Sequence, residues 1–245
     1  MPKFFLDGPI GEHVLLTGED GRHAVKSLRM RPGEQVTLCD GHGTDYEGEI
    51  LSVSGETAEI RVLGSRPCPA EPAVEATLFQ SLPKLDKFDS VVQKAVELGV
   101  SRIVPVVSAR CVSRPEEKAL AKKAERWQRI AAEAAKQCGR GILPAVETAI
   151  PFSRAVRRAK EAGGAALLFY EGGGAPLPSL VGPETRQVSL FIGPEGGFAP
   201  EEVSLAQENG LQPATLGPRI LRTETAPVAA LAAIMLCTGN LGGNA

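Results

Sequence analysis

Aromatic residues are scarce: one Trp, two Tyr and eight Phe among 245 residues. Stacking of bases on exposed rings is therefore not the expected way to hold a nucleic acid, and the interior must be built from Val, Leu, Ile and Ala. Histidine is scarcer still, with His13, His23 and His42 all near the start of the chain. No Ser/His/Asp or Cys/His arrangement can be assembled from them, which argues against triad hydrolysis. The five cysteines, at 39, 68, 111, 138 and 237, form no CxxC pair and have no histidine at ligand spacing. Neither zinc nor a disulfide framework is expected, and the cysteines read as cytosolic thiols. The N-terminal MPKFFLDGPIGEH lacks the apolar core of a signal peptide, and the most apolar late stretch, 227–237, is too short to span a bilayer. The expectation is a soluble cytoplasmic protein with no metal and no membrane contact. A strong net charge is also lacking: the formal value is −2, so a polyanion would have to meet a local patch.

What the chain does have is two rhythms. Up to about residue 66, short β-prone runs (HVLLTG, EQVTLCDGHG, YEGEILSVSG, ETAEIRVLG) alternate with Gly-containing turns at the spacing of a small barrel or meander. One amphipathic piece, GEDGRHAVKSLRM, interrupts them and is stopped by Arg31-Pro32-Gly33. RPCPAEPA, at 66–73, carries Pro67, Pro69 and Pro72 and reads as a semi-rigid linker, placing a boundary between residues 1–70 and 71–245. Beyond it, strands alternate with helices. VEATLFQSL, SRIVPVVSA, GAALLFYEG, VSLFIGPEGG and LQPATLGPRI are the expected strands. Helices are expected at DKFDSVVQKAVELGV, 115–138, 152–162 and 199–209, with a last one capped by Thr225 or its neighbours. Such alternation predicts an α/β fold with a mainly parallel sheet. Residues 114–140 hold eight Lys and Arg against four Glu; this is either a solvated face or a phosphate-contacting stripe.

In an open α/β sheet, ligands bind beyond the carboxyl ends of the strands, and three loops there stand out. They are Tyr170-Glu171-Gly172-Gly173-Gly174, Gly193-Pro194-Glu195-Gly196-Gly197, and the run from Leu216 to Glu224. The middle loop fits neither GxGxxG nor GxxxxGK[ST]. Taken alone it suits a nucleoside lying on bare backbone or a plain strand-to-helix turn equally well. In LGPRILRTETA, Arg222 and Glu224 read either as a surface ion pair with a helix cap or as a fixed cation facing an anion.

GPEGG followed by LGPRILRTETA, preceded by KLDKFDSVVQKAVELGV and RWQRIAAEAAKQCGR, with MPKFFL and HAVKSLRMRPGE at the start, closely resembles the RsmE family of 16S rRNA uridine methyltransferases. The resemblance covers essentially the whole chain. It implies a small PUA-like β-barrel at 1–70 and, at 71–245, a SPOUT methyltransferase domain with a trefoil knot near its C-terminus. It implies S-adenosylmethionine as cofactor, a homodimer, and small-subunit ribosomal RNA or the 30S particle as partner, methylated at ring nitrogen 3 of a decoding-region uridine.

Carried over by position, the resemblance assigns three groups to the cofactor pocket. These are Phe169, Tyr170 and Glu171; Ile192, Gly193, Pro194, Glu195, Gly196 and Gly197; and Leu216, Gly217, Arg219, Ile220, Leu221, Arg222 and Thr225. Arg222 is expected to stabilise the uridine anion, with Glu195 or Glu224 accepting the proton. Lys3, His23, Arg29, Arg31, Lys84, Lys87 and Arg140 are expected at RNA. Two further readings compete: a SPOUT methyltransferase acting on another RNA position, and a non-catalytic RNA-binding ribosome assembly factor.

Overall fold

In the computed structural model, which describes residues 1–6 and 8–242, the alternating segments at the start form a five-stranded sheet. Its strands are β1 (Lys3–Phe5), β2 (His13–Leu16), β3 (Gln35–Cys39), β4 (Thr44–Ser54) and β5 (Thr57–Pro67), in the order β1-β3-β4-β5-β2. β4 and β5 are long, and register shifts at Glu47/Gly48 and Ile50/Ser52 bend them as a small barrel requires. Phe4, Leu16, Val36, Leu38, Ile50 and Ile60 fill the core. The amphipathic piece is α1 (Gly18–Arg22) continued by a wider π-helical turn over His23–Ser27, which buries Ala24 and leaves His23 and Lys26 exposed. β5 runs on to Pro67, so the expected linker begins inside a strand.

The chain divides into two compact units. One comprises Met1–Glu71 with Ala135–Leu143; the other comprises Pro72–Ala134 with Pro144–Ala245. The second inserted segment of the first unit lies far along the sequence, in RWQRIAAEAAKQCGR and the residues after it.

The second unit is built of β6 (Glu75–Ser81), α2 (Lys87–Glu97), β7 (Arg102–Val107), α3 (Glu117–Cys138), β8 (Ala145–Val146), β9 (Ile150–Pro151), α4 (Phe152–Ala162), β10 (Ala165–Phe169), β11 (Ala175–Pro176), β12 (Gln187–Ile192), α5 (Pro200–Glu208), β13 (Gln212–Thr215) and α6 (Ala226–Cys237). The last turn of α3 is the part grouped with the first unit. The sheet order is β11-β13-β10-β12-β6-β7-β8, with β9 also on β7, and every pairing is parallel. β12 and β6 are central: every β12 residue after Gln187 is buried, as are Ala76 and Leu78 to Ser81 of β6. Phe79 and Phe191 stack on one another at their shared register position, and Phe152 and Phe198 pack beside them. α2 buries Phe88, Val91, Val92, Ala95 and Val96.

Two expectations need correction. LQPATLGPRI contributes a strand only to Thr215, and the rest of it is loop. Thr225 occupies the residue before α6, but its side chain caps nothing; the Arg222 carbonyl instead accepts from the Thr225 and Ala226 N–H groups.

Candidate active site

Because all strands of the second sheet are parallel, β6, β7, β10, β12 and β13 end at the same edge. The loops that follow them, at 82–86, 108–116, 170–174, 193–199 and 216–225, therefore gather there. Hydrogen bonds tie four of these loops together. The middle loop turns back on itself through Gly197 N–H to the Pro194 carbonyl at 2.9 Å. The Glu195 carboxylate accepts from Lys84 N–H at 3.0 Å, anchoring the loop after β6. Arg110, after β7, donates to the Gly196 carbonyl at 2.8 Å. Glu202, buried at the start of α5, accepts from Ala109 N–H at 2.8 Å and from Ala199 N–H at 3.0 Å. One carboxylate thus ends the loop and caps the helix.

The glycines do what bare backbone is for. Gly197 stands at φ +66°, and a Cβ there would overlap the Glu171 carboxylate, so the first loop lies directly against the middle one. A Cβ on Gly193 would stand 3.3 Å from the Gly197 backbone, closing the turn.

The third loop is joined to the middle one through Thr223. Its hydroxyl lies 2.8 Å from the Gly193 carbonyl and 3.2 Å from the Gln80 amide nitrogen. Gln80 Oε1 and Ser81 Oγ, both at the end of β6, are buried with no hydrogen-bond partner among the described residues. A buried acceptor left unmade costs about 1–3 kcal/mol.

Among the charged groups, Lys87 Nζ sits 3.0 Å from Glu224 and 3.7 Å from Glu195. A hydrogen bond from its own N–H, with Lys87 and Arg222 nearby, holds the Glu224 carboxyl below the usual carboxylate range. Glu224 is thereby a firmly ionised and weak base. Arg222 is exposed, as are Glu171 and Arg219, and Ile220 has 88 % of its surface in solvent. Phe169 and Ile192 are buried strand ends under the loops.

Of the residues expected at RNA, His23, Arg29, Arg31 and Lys84 are exposed. Arg29 is held at φ +55°, an uncommon conformation for an L-residue, just past the π-helical turn; both features cluster at functional sites. Lys87 is spoken for by the two glutamates. Lys3 and Arg140 do not fit an RNA contact. Lys3 is half-buried, pairs with Asp45 at 2.6 Å and donates to the Gly139 carbonyl, and Arg140, 3 % exposed, pairs with Glu71 at 2.7 Å. Their cations are consumed inside the first unit. Arg110, Gln80, Thr223 and Glu202 were not singled out from sequence, because each reaches the site by a contact across many residues. Among the described residues no cluster of three or more His, Cys, Asp or Glu is placed to hold a metal, and no helix is long and apolar enough to cross a membrane. The cavity lined by Glu147, Thr148, Ile150, Arg154, Arg157, Arg158 and Glu161 shares no residue with the loops, and Glu147 there already pairs Arg102 and Arg158.

Residues 70–235 match the RNA methyltransferase domain family, and residues 16–63 match the RNA methyltransferase PUA domain family. The ribosomal RNA small subunit methyltransferase E of Bacillus subtilis is 34% identical over 235 residues, which is 94% of this chain and 92% of that protein. The Neisseria gonorrhoeae ribosomal RNA small subunit methyltransferase E, solved bound to S-adenosyl methionine, superposes with a TM-score of 0.84 at 34% identity, covering 96% of this chain and 97% of that one. A Legionella pneumophila protein solved with the bound cofactor SAM gives a TM-score of 0.81 at 32% identity, covering 96% of both chains.

Proposed function

The chain belongs to the RsmE family of small-subunit ribosomal RNA methyltransferases, and from that premise we propose that it methylates ring nitrogen 3 of a uridine in the decoding region of 16S rRNA, using S-adenosylmethionine. The observation that carries this reading is the joining of the three glycine-bearing loops at one sheet edge, with Gly197 pressed on Glu171 and Thr223 hydrogen-bonded to Gly193. Bare backbone flanked by one carboxylate suits a nucleoside with hydroxyl and ammonium groups, so the residues present fit the cofactor. S-adenosylmethionine supplies an activated methyl group on a sulfonium. Phe169, Tyr170 and Glu171, the stretch from Ile192 to Gly197, and the stretch from Leu216 to Arg222 with Thr225 hold it.

The uridine nitrogen carries a proton that must leave. Arg222, exposed beside the pocket, offers a fixed cation to the resulting imide anion and orients the base. With the anion so stabilised, a weak acceptor suffices. Of the two candidate carboxylates Glu224 has its basicity depressed, which leaves Glu195 as the proposed acceptor. His23, Arg29, Arg31 and Lys84 contact RNA, the first three from the PUA-like unit.

The enzyme acts as a homodimer in the cytoplasm. α6 supports the dimer: Leu236 is 62 % exposed, and Val228, Ala229, Ala232 and Ala233 are only half-buried in an otherwise wholly apolar helix. The return of the chain from β13 across β10 to pack α6 on β12, β6 and α2 supports the trefoil knot.

The test is methylation of transcribed small-subunit RNA and of assembled 30S particles, mapped by mass, with calorimetry for the cofactor. A product at uridine nitrogen 3 is expected. A ribose methyl would redirect the reading to another RNA position, and no cofactor binding at millimolar concentration would favour an assembly factor. Arg222→Ala is expected to lower turnover at least a hundredfold; unchanged turnover and cofactor affinity would remove Arg222 from the mechanism.

A further inference from the structure

Gln80 is fully buried near the end of β6, at the register position of Ile192 on β12. Its amide nitrogen lies 3.0 Å from the Ser81 carbonyl and 3.2 Å from Thr223 Oγ1, and that hydroxyl lies 2.8 Å from the Gly193 carbonyl. Both carbonyls can only accept. The amide nitrogen must therefore face Ser81, since flipping the group would set two oxygens against each other. Its two hydrogens serve Ser81 and Thr223, and the Thr223 hydroxyl is left to give its own hydrogen to Gly193. The direction of the relay is fixed: Gln80 to Thr223 to Gly193.

That arrangement strands Gln80 Oε1, a buried acceptor with no partner among the described residues. An apolar side chain of similar size would fill this place in a parallel sheet without the penalty, so the amide is worth keeping only for what it holds. What it holds is a joint. Pro194 has its φ set by its ring, so the orientation of the peptide plane between Gly193 and Pro194 steers the whole turn, and Thr223 pins that plane. Through the same hydroxyl, the third loop is kept at a set distance from the middle one.

We infer that Gln80 and Thr223 are positioning residues: a buried hydrogen-bond relay from β6 that sets the separation of the two loops and so preshapes the pocket for the cofactor's nucleoside. The inference rests on the reading of these loops as the S-adenosylmethionine pocket. Both residues are buried, so the relay acts on cofactor binding more than on the chemical step.

The variants are Thr223→Val, Thr223→Ser, Gln80→Leu and the Gln80→Leu/Thr223→Val pair, made in the full chain. Thr223→Val and Gln80→Leu are each expected to weaken S-adenosylmethionine binding about tenfold by calorimetry and to raise its KM in step, with kcat within about threefold of wild type. The two act in series, so the double variant should lose little more than either single one. Thr223→Ser keeps the hydroxyl and should bind within about twofold of wild type. Wild-type affinity in Thr223→Val, additive losses in the double variant, or a loss confined to kcat would overturn the relay while leaving the proposed function standing. A second measurement needs no cofactor. Amide exchange at Gly197 and Thr225, whose N–H groups close the middle and third loops, should speed up in Gln80→Leu and Thr223→Val relative to the strand amides. If wild type binds no S-adenosylmethionine, the proposed function falls, and exchange alone decides the relay: unchanged rates overturn it. Should Thr223→Val fail to fold, Gln80→Leu carries the same comparisons.

Discussion

Leu85 stands at φ +59° with 83 % of its surface exposed, between Lys84 and the first residues of α2. An L-residue in the left-handed region loses about 1–2 kcal/mol. Glycine relieves that strain at an entropic cost of about 0.5–1 kcal/mol, and so exposed a side chain has little burial to forfeit. Leu85→Gly is therefore expected to raise stability by about 0.5–1 kcal/mol in urea unfolding; a lower midpoint would mean that Leu85 packs on something. Glu71 illustrates a half-buried charge. Burial pushes its carboxyl up, but Arg140 and the N–H groups of Gly141 and Ile142 outweigh this and hold it below the usual range. A depressed folded-state value means stability that is present above the unfolded value near 4.5 and lost as pH falls through the folded one. Glu71→Gln withdraws the carboxylate from Arg140 and should cost about 3 kcal/mol at pH 7. The gap between variant and wild type should close as unfolding is measured at successively lower pH below that value; a constant gap would mean that the pair is not what Glu71 contributes.

At the scale of the element, the loop from β12 to α5 shows what a short motif reveals and what it hides. GPEGG announces a tight turn after a buried strand, and Pro200 with Glu201 and Glu202 announces a helix start; both are found where the local signals place them. The ties from Arg110, Glu202 and Lys84 are invisible to local pattern because they join segments 86, 93 and 111 residues apart. The same reasoning explains Lys3 and Arg140: a cation in a basic-looking motif reads the same whether it faces phosphate or a buried carboxylate, and only the fold brings Asp45 and Glu71 to them. The loop yields its own prediction. Gly197→Ala combines left-handed strain of about 1–2 kcal/mol with an overlap on the Glu171 carboxylate. Adding Glu171→Ala should recover the part due to overlap and leave the part due to φ. If Glu171 lines the pocket as proposed, S-adenosylmethionine binding should stay at least tenfold weakened in both, since the single variant displaces its carboxylate and the double variant removes it. Full recovery of stability in the double variant would assign the whole effect to crowding.

For the whole molecule, the change from alternating strands to βα alternation was legible near the proline-rich segment. The recruitment of Ala135–Leu143 into the first unit was not. That segment extends a helix whose period gives no sign that its end groups elsewhere, and the short strands β8, β9 and β11, of two residues each, have no pattern to read. α6 was legible as a helix, but not what covers it. APVAALAAIMLC has no polar face at all, and a helix hydrophobic all round is buried on every side. In the chain it is covered on one side, where Ala230, Leu231, Ile234 and Met235 are buried, while Leu236 is exposed. Leaving that strip in water is costly, and a second copy laid against it by a two-fold axis would present the same strip in return. Leu236→Glu places a charge in such an interface. Its expected outcome is a halving of mass by light scattering at micromolar concentration, with the fold of the protomer retained by circular dichroism. A dimer that survives the substitution would move the interface off the C-terminal end of α6, and a wild type that is already monomeric at that concentration would remove the dimer altogether.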